Sequence, residues 1–434
     1  MPLYTIIRLN THPRVKRDLI KLKVIELQSY TRFIGSNFRW LLGGFLLTMF
    51  SSFGQTFFIS LSTGHVREAF DLTSGEYGSI YMVATLASAL TLTFFGRIVD
   101  YMSIVKTTVI STSLLALACV GFAQANSIII LVISLYGLRL LGQGMMTHIS
   151  ITAMGRWYAR NRGKAISIVS VGFNVGLAIL PAAFIGVSAT IGWRNAWLVA
   201  AAILVLIAMP AIAALFRHER MAGSVEQAST ESHIIQWTSS QMLRDPVFWI
   251  ATLCLLGPPF IGTAIFFHQD YLFALRGWSI NLFAWTFVMM TLISVLSGLI
   301  TGIAVDRYSA IALLPIFLVP LGVGCLILAA VSSSVALITY MIFLGISTGI
   351  NSLLYGALWP EVYGTKNLGS IRSIVTAMMV FASALGPGVV GFAIDLQVGI
   401  STQFLAMTAF CFLGTIALMF CSSRYNRRNS ACVV

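Results

Sequence analysis

Arg139-Leu140-Leu141-Gly142-Gln143-Gly144, followed eleven residues later by Gly155-Arg156-Trp157-Tyr158-Ala159-Arg160-Asn161-Arg162-Gly163-Lys164-Ala165, decides how this chain is read. The first stretch sets a cation inside an apolar run. The second is a short basic loop between two apolar runs. A charge within a membrane span is costly and marks a functional position. A basic loop marks the cytoplasmic face. Together they point to a membrane-spanning carrier with Arg139 on the path of its solute.

The composition agrees. The chain has 434 residues, 58% of them hydrophobic and 9% charged, against roughly 25% charged in soluble domains. A helical span needs about 20 apolar residues. Twelve such runs follow one another at 38–61, 75–95, 105–124, 127–151, 164–187, 194–216, 246–268, 280–301, 310–331, 334–355, 369–393 and 399–421. The fold class is therefore an all-α, polytopic membrane protein. Its expected organisation is a basic cytoplasmic tail over 1–37, a six-helix bundle over 38–216, a polar cytoplasmic linker over 217–245, a second six-helix bundle over 246–421, and a cytoplasmic tail over 422–434. An even number of spans puts both termini on one side.

The net charge of +13 does not point to nucleic acid, because the charges are sorted by topology. Of the 27 Lys and Arg, 23 fall on the side of the termini, three on the other, and Arg139 lies within a span. This is the positive-inside bias, and it sets basic side chains beside anionic lipid. Residues 1–37 lack the apolar core of a secretory signal. Val15, Leu19, Leu22 and Ile25 share one helical face there, which suits a helix lying on the membrane surface, although a solvated tail is the expected state. The six cysteines form no disulfide framework: Cys119, Cys254, Cys325 and Cys411 fall within spans, and Cys421 and Cys432 at the inner end.

The chain repeats itself at an offset of 206 residues. Gly96 meets Gly302, Val99-Asp100 meets Val305-Asp306, Gly163 meets Gly369, Ser167-Ile168-Val169 meets Ser373-Ile374-Val375, and Pro181 meets Pro387. Chance matching of apolar residues does not place Gly, Asp and Pro in one register. Two six-helix halves related by an axis along the membrane normal are a known way to build a transporter.

These residues resemble the major facilitator superfamily. The loop after the second span, Gly96-Arg97-Ile98-Val99-Asp100, and its copy Gly302-Ile303-Ala304-Val305-Asp306-Arg307 look like the family's cytoplasmic latch between halves. The resemblance implies gating roles for Gly96, Asp100, Gly302, Asp306 and Arg307, with Arg156, Arg160 and Arg162 as basic partners. Arg139 with Gly142 and Gly144 loosely matches the family's fourth-span element. Arg156-Trp157-Tyr158, Gly192-Trp193-Arg194, Arg244-Asp245-Pro246-Val247-Phe248-Trp249 and Tyr363-Gly364 look like the branch of monocarboxylate and oxalate:formate-like carriers.

Arg139 lies twelve residues past Ser127, about 18 Å along the helix axis and so near mid-depth. A guanidinium there holds a carboxylate through two parallel hydrogen bonds. Acidic residues near the faces leave it without an obvious counter-charge, so an anionic substrate would complete it. Tyr136, Gln55, Asn174, Asn351 and His268 are the further candidates for substrate contact. Buried amides need partners, so they bridge helices or line a cavity. Histidine titrates near physiological pH and suits a proton-linked role.

Gly163-Lys164-Ala165 lacks the spacing of a phosphate-binding loop, and no metal-binding pattern occurs. The reading is a non-enzymatic secondary transporter that needs no cofactor or metal, does not bind nucleic acid, and sits as a monomer in the cell membrane. Its partners are a small-molecule solute, membrane lipid, and a proton as candidate coupling ion. A small organic anion such as a monocarboxylate is the expected substrate. The alternatives are a neutral or cationic solute, with Arg139 structural, and a non-transporting sensor on the same fold.

Overall fold

The computed structural model describes residues 13–96, 98–158, 161–218, 220, 236–364 and 367–431. All regular structure among them is helical. In hydrocarbon no water serves the peptide groups, so each spanning segment must satisfy its own backbone, as a helix does.

Eleven helices among the described residues are long and apolar enough to cross a membrane, and a bent pair makes a twelfth span. The bent pair is α1, Thr31–Gly54 and Thr56–Phe70, which meet at 48°. The others are α2 (Ser74–Phe95), α3 (Ile104–Ala123), α4 (Ile128–Trp157), α5 (Gly163–Ile191), α6 (Trp193–Phe216), α7 (Pro246–Phe267), α8 (Trp285–Val305), α9 (Ala310–Ala330), α10 (Ser334–Tyr363), α11 (Ser370–Asp395) and α12 (Ile400–Arg428). Their outer faces carry exposed apolar side chains such as Leu90, Leu117, Ile133, Leu206, Leu296, Ile300 and Leu413. These are side chains for lipid.

The repeat is written in the helix ends. Ser103 and Ser309 cap α3 and α9, each accepting from the N–H three residues on, at 3.3 Å. Ser127 and Ser333 precede α4 and α10. Asn161 and Asn367 precede α5 and α11. Asp71 and Gly277 both end their segments in the left-handed conformation, with φ of 52° and 65°. Every pair is 206 residues apart. A side-chain cap or a left-handed end serves the orphan backbone groups of a helix terminus, so equal spacing of ends means equal folding of the halves.

The start of α1, the end of α6, the start of α7 and the end of α12 lie at one end of the bundle, here the terminal end; the opposite one is the far end. The halves meet where α2 runs along α11, α1 touches α7, and α5 touches α8. At the far end the Asp395 carboxylate, closing α11, accepts from Ser74 N (3.2 Å) and Gly75 N (2.8 Å) at the start of α2. Gln269 Nε2 donates to Ser60 Oγ (3.2 Å) across the same seam. Negative charge is favoured at a helix N-terminus, so Asp395 ties one half to the other.

Four departures from the sequence expectation follow from local physics. The first helix is continuous over Pro13–Phe50, so it begins well before the apolar run at 38; residues 1–12 lie outside the description. α4, α10 and the last helix run on to Trp157, Tyr363 and Ala431, past the apolar runs, because a helix entering water keeps its hydrogen bonds after its hydrophobicity ends. α1 is broken, with a tight turn over Ser51–Gly54 and Gln55 extended at φ −84°, ψ 151°. The linker contributes a short helix, Ser239–Leu243, started by a Thr238–Gln241 capping box; residues 221–235 lie outside the description.

Candidate functional site

The break in α1 and a wide turn in α4 face each other. α4 takes π-helical hydrogen bonding over Leu138–Met146, a local bulge that often marks a functional position. Gly54 and Gly142 sit at the contact: a Cβ on Gly142 would lie 2.6 Å from the Gly54 Cα, and one on Gly54 would lie 2.7 Å from the Gly142 Cα. Two side-chain-free positions let the backbones touch, as small residues do between membrane helices. This contact delivers Arg139 to the elbow of α1.

Arg139 is 2% exposed. Its Nη1 donates to the Gly54 carbonyl and to Thr56 Oγ1, each at 3.2 Å. The guanidinium carbon lies 5.3 Å from the centroid of the Tyr81 ring, whose hydroxyl donates to Thr56 Oγ1 at 2.7 Å. A cation over an aromatic face is attracted by about 2 kcal/mol when desolvated. Its Nε is buried without a partner. Among the described residues no carboxylate comes within ion-pair distance of it. The charge is thus held by dipoles and a ring, with one donor unspent.

Just beyond the elbow lies an aromatic floor that spans both halves. Phe57 of α1 meets Phe173 of α5 and Phe287 of α8, each at 6.0 Å between centroids, and Phe287 stacks on Phe266 of α7 at 5.2 Å. Together with the Asp395 contacts, it closes the far side of the centre.

The candidates separate around this frame. Gln55 is the elbow residue itself, half-buried between the two Arg139 partners. Asn174 is half-buried and follows Phe173 of the floor. Asn351, on α10 in the other half, has a buried Oδ1 without a partner. Tyr136 is tied elsewhere, its hydroxyl donating to Thr91 Oγ1 of α2 at 2.9 Å. His268 does not join the group. It is 3% exposed in the far-end seal, where its Nε2 donates to the Pro387 carbonyl at 2.8 Å; the polar helix end expected to meet water or substrate is packed against α11 instead.

At the terminal end, Gly96 closes α2, and His148 Nε2 donates to its carbonyl at 3.0 Å. Arg156 Nη1 donates to the Val99 carbonyl at 2.8 Å, so it clasps the loop through its backbone. Gly302 packs under Leu353 of α10. Arg307 is exposed, its guanidinium 5.3 Å from the Tyr308 ring. Arg160 lies outside the described residues, as do the side chains of Asp100, Arg162 and Asp306. Sequence reading missed Thr56, which has no signal beyond being a hydroxyl in an apolar run. It also missed Asp395, whose signal is an acid ending a span.

Two repeated six-helix halves closed over a buried, unneutralised cation make up the architecture of a membrane transporter. The family comparison gives the class its name: the description of the Major Facilitator Superfamily matches residues 44–276 and 260–431. The chain belongs to that family, and family and fold together indicate a transporter rather than an enzyme. A bacterial homolog to the human lysosomal transporter Spinster, inward-facing and unoccupied, is similar with a TM-score of 0.67 and 16% identity, over 90% of this chain and 96% of that one. A point variant of the nucleoside transporter NupG is similar with a TM-score of 0.65 and 14% identity, over 88% and 99%. Comparison with curated protein sequences gives no match. At these identities the likeness shows the fold alone, and neither relative is described as a carboxylate carrier.

Proposed function

We propose that the protein is a secondary active carrier of small organic anions, working by alternating access as a monomer in the cell membrane, with both termini cytoplasmic and a proton as coupling ion. The observation that carries the substrate class is Arg139: a buried guanidinium with no carboxylate partner among the described residues and an unspent Nε. Low dielectric strengthens every interaction of such a charge, and a substrate carboxylate would supply the counter-charge that no described residue provides. The orientation is supported by the basic bias of the terminal end. The halves share extensive packing through far-end segments of α1, α2, α7 and α11, which suits a state closed on that side.

A second reading is favoured by one contact. Both Arg139 hydrogen bonds go to the α1 elbow, so the residue also braces α1 against α4. Proteoliposome uptake of labelled short carboxylates, with Arg139→Lys and Arg139→Met beside the parent, separates the two. A carrier of anions loses uptake in both variants, by about tenfold or more, because neither restores the bidentate geometry. A pure brace loses thermal stability in Arg139→Met and keeps the substrate affinity of whatever folded protein remains.

A further inference from the structure

Acid–base chemistry enters the far-end seal at one buried side chain, His268. It follows α7 directly and is 3% exposed. Its Nε2 donates to the Pro387 carbonyl of α11 at 2.8 Å. α2 comes to the same place, since a Cβ on Gly78 would lie 2.5 Å from that oxygen. Nδ1 is buried without a partner. Both chain neighbours reach the first half. Phe267 stacks on Tyr77 of α2 at 5.1 Å and packs on Tyr81 at 4.6 Å. Gln269 donates to Ser60 of α1 at 3.2 Å. The imidazole therefore lies under the seam, and parting the halves there would bring water to it.

The charged and titratable groups around it come from every element of the seam. Arg67 near the end of α1 and Asp395 at the end of α11 act on the ring in opposite senses. The Asp395 carboxylate is already held by Ser74 N and Gly75 N. On α2, Glu76 is turned back to the Thr73 N–H at 2.8 Å, and Tyr77 presents a buried hydroxyl without a partner. Asp270, two residues on, is exposed, and His65 of α1 is stacked on Trp193. Among the described residues no carboxylate forms an ion pair with His268.

A neutral imidazole suits this place, with one N–H and one carbonyl to receive it. Protonating Nδ1 would add a donor with no acceptor and a charge with no water, and a buried charge without a partner is strongly disfavoured. Burial, the largest influence, holds the imidazole below its ordinary range; Arg67 adds to it, while the Pro387 bond and Asp395 oppose it. With the far end open, a solvated histidine titrates near pH 6.5, about its ordinary value. The closed state thus binds the proton more weakly than the open one. Closure is favoured above about pH 6.5 and is progressively lost as the pH falls below it.

We propose that His268 is an acid-sensitive release of the far-end seal: a proton arriving from the far side opens the carrier to that side. The inference rests on the alternating-access reading and is independent of what Arg139 binds. It also sets His268 apart from the coupling proton, because closing the seal returns the His268 proton to the side it came from.

Spin-label distances across the far end of the full-length chain in lipid nanodiscs test it. Asn126 and Ser332, exposed and repeat-related at the far ends of the two halves, carry the labels as Asn126→Cys and Ser332→Cys. Cys432→Ser provides the background, since the other five cysteines are buried. From about pH 8 to about pH 5 the ratio of open to closed distances in the parent rises about tenfold. His268→Gln keeps a donor for Pro387 but no titrating ring, and it flattens that rise. His268→Asn repeats the test with a shorter amide, so that one poorly folding variant does not decide it. Asp395→Asn moves the ratio at every pH and leaves the rise in place. A parent ratio that does not change with pH, or a rise that survives both His268 variants, overturns the proposal while alternating access stands. A single distance population at every pH, in the parent and in Asp395→Asn alike, overturns the alternating-access reading and the acid release with it.

Discussion

The α1–α4 pair and its repeat, α7–α10, share a scaffold and differ at the residues that matter. Arg139 in α4 stands where α10 has Gly345, at the offset of 206 residues. In the first half α4 presses its glycine against the elbow of α1 and delivers a charge. In the second, α10 presses Gly345 and Gly349 against α8 and sets no charge at the corresponding depth. A repeated fold supplies the scaffold twice, and divergence at a few positions puts a cation at Arg139 in one half and a glycine at Gly345 in the other. The same logic holds at the terminal end. Arg39 of α1 donates to the Ala214 and Leu215 carbonyls of α6. Its mate, 206 residues on, is Asp245. Asp245 caps α7 and takes both the Tyr363 hydroxyl (2.9 Å) and Arg428 Nη1 (2.8 Å).

The largest effect is expected where the backbones touch. Gly142→Val in the first half and Gly349→Val in the second each force apart a helix pair, α4 from α1 or α10 from α8, at a cost of about 3 kcal/mol or more. Size-exclusion profiles of the purified variants show aggregation or loss of the monodisperse peak in both. If either variant keeps its monodisperse peak, the close backbone approach at that glycine is not what holds its helix pair together. Next comes the terminal end. Asp245→Ala removes the carboxylate that the Tyr363 hydroxyl and Arg428 share and costs about 2 kcal/mol. Arg39→Ala costs about 1 kcal/mol, the value of ordinary hydrogen bonds. Melting temperatures read in one detergent rank them, and equal shifts would erase the distinction. Smaller still, Asp395→Ala removes the carboxylate joining α11 to the start of α2 and shifts the open–closed balance of the far end by about threefold, or roughly 0.7 kcal/mol. Spin-label distances between those helix ends report it, and an unchanged distribution means that close packing alone holds that seam.

Much of the fold is legible in the sequence because hydrocarbon leaves so little choice. Runs of about 20 apolar residues must be helices, and Gly96/Gly302 and Pro181/Pro387 fix the repeat before any coordinate is known. The departures are tertiary. Nothing local announces that Gln55 breaks α1, since no proline stands there; the break exists because Gly54 meets Gly142 and Arg139 holds the freed carbonyl. Depth along a helix is readable at 1.5 Å per residue, which placed Arg139. Side is not: by sequence His268 groups with the substrate contacts, whereas the fold packs it into the far-end seal. Thr56 was invisible for the same reason, because its role lies in what faces it.

Counterflow in proteoliposomes preloaded with an unlabelled short carboxylate tests the central claim most directly. Labelled carboxylate enters the parent protein and accumulates, and Arg139→Lys cuts that entry about tenfold or more while its melting temperature stays within a few degrees. Carboxylate counterflow that survives in Arg139→Lys, or its absence from the parent across a panel of mono- and dianions, contradicts the account.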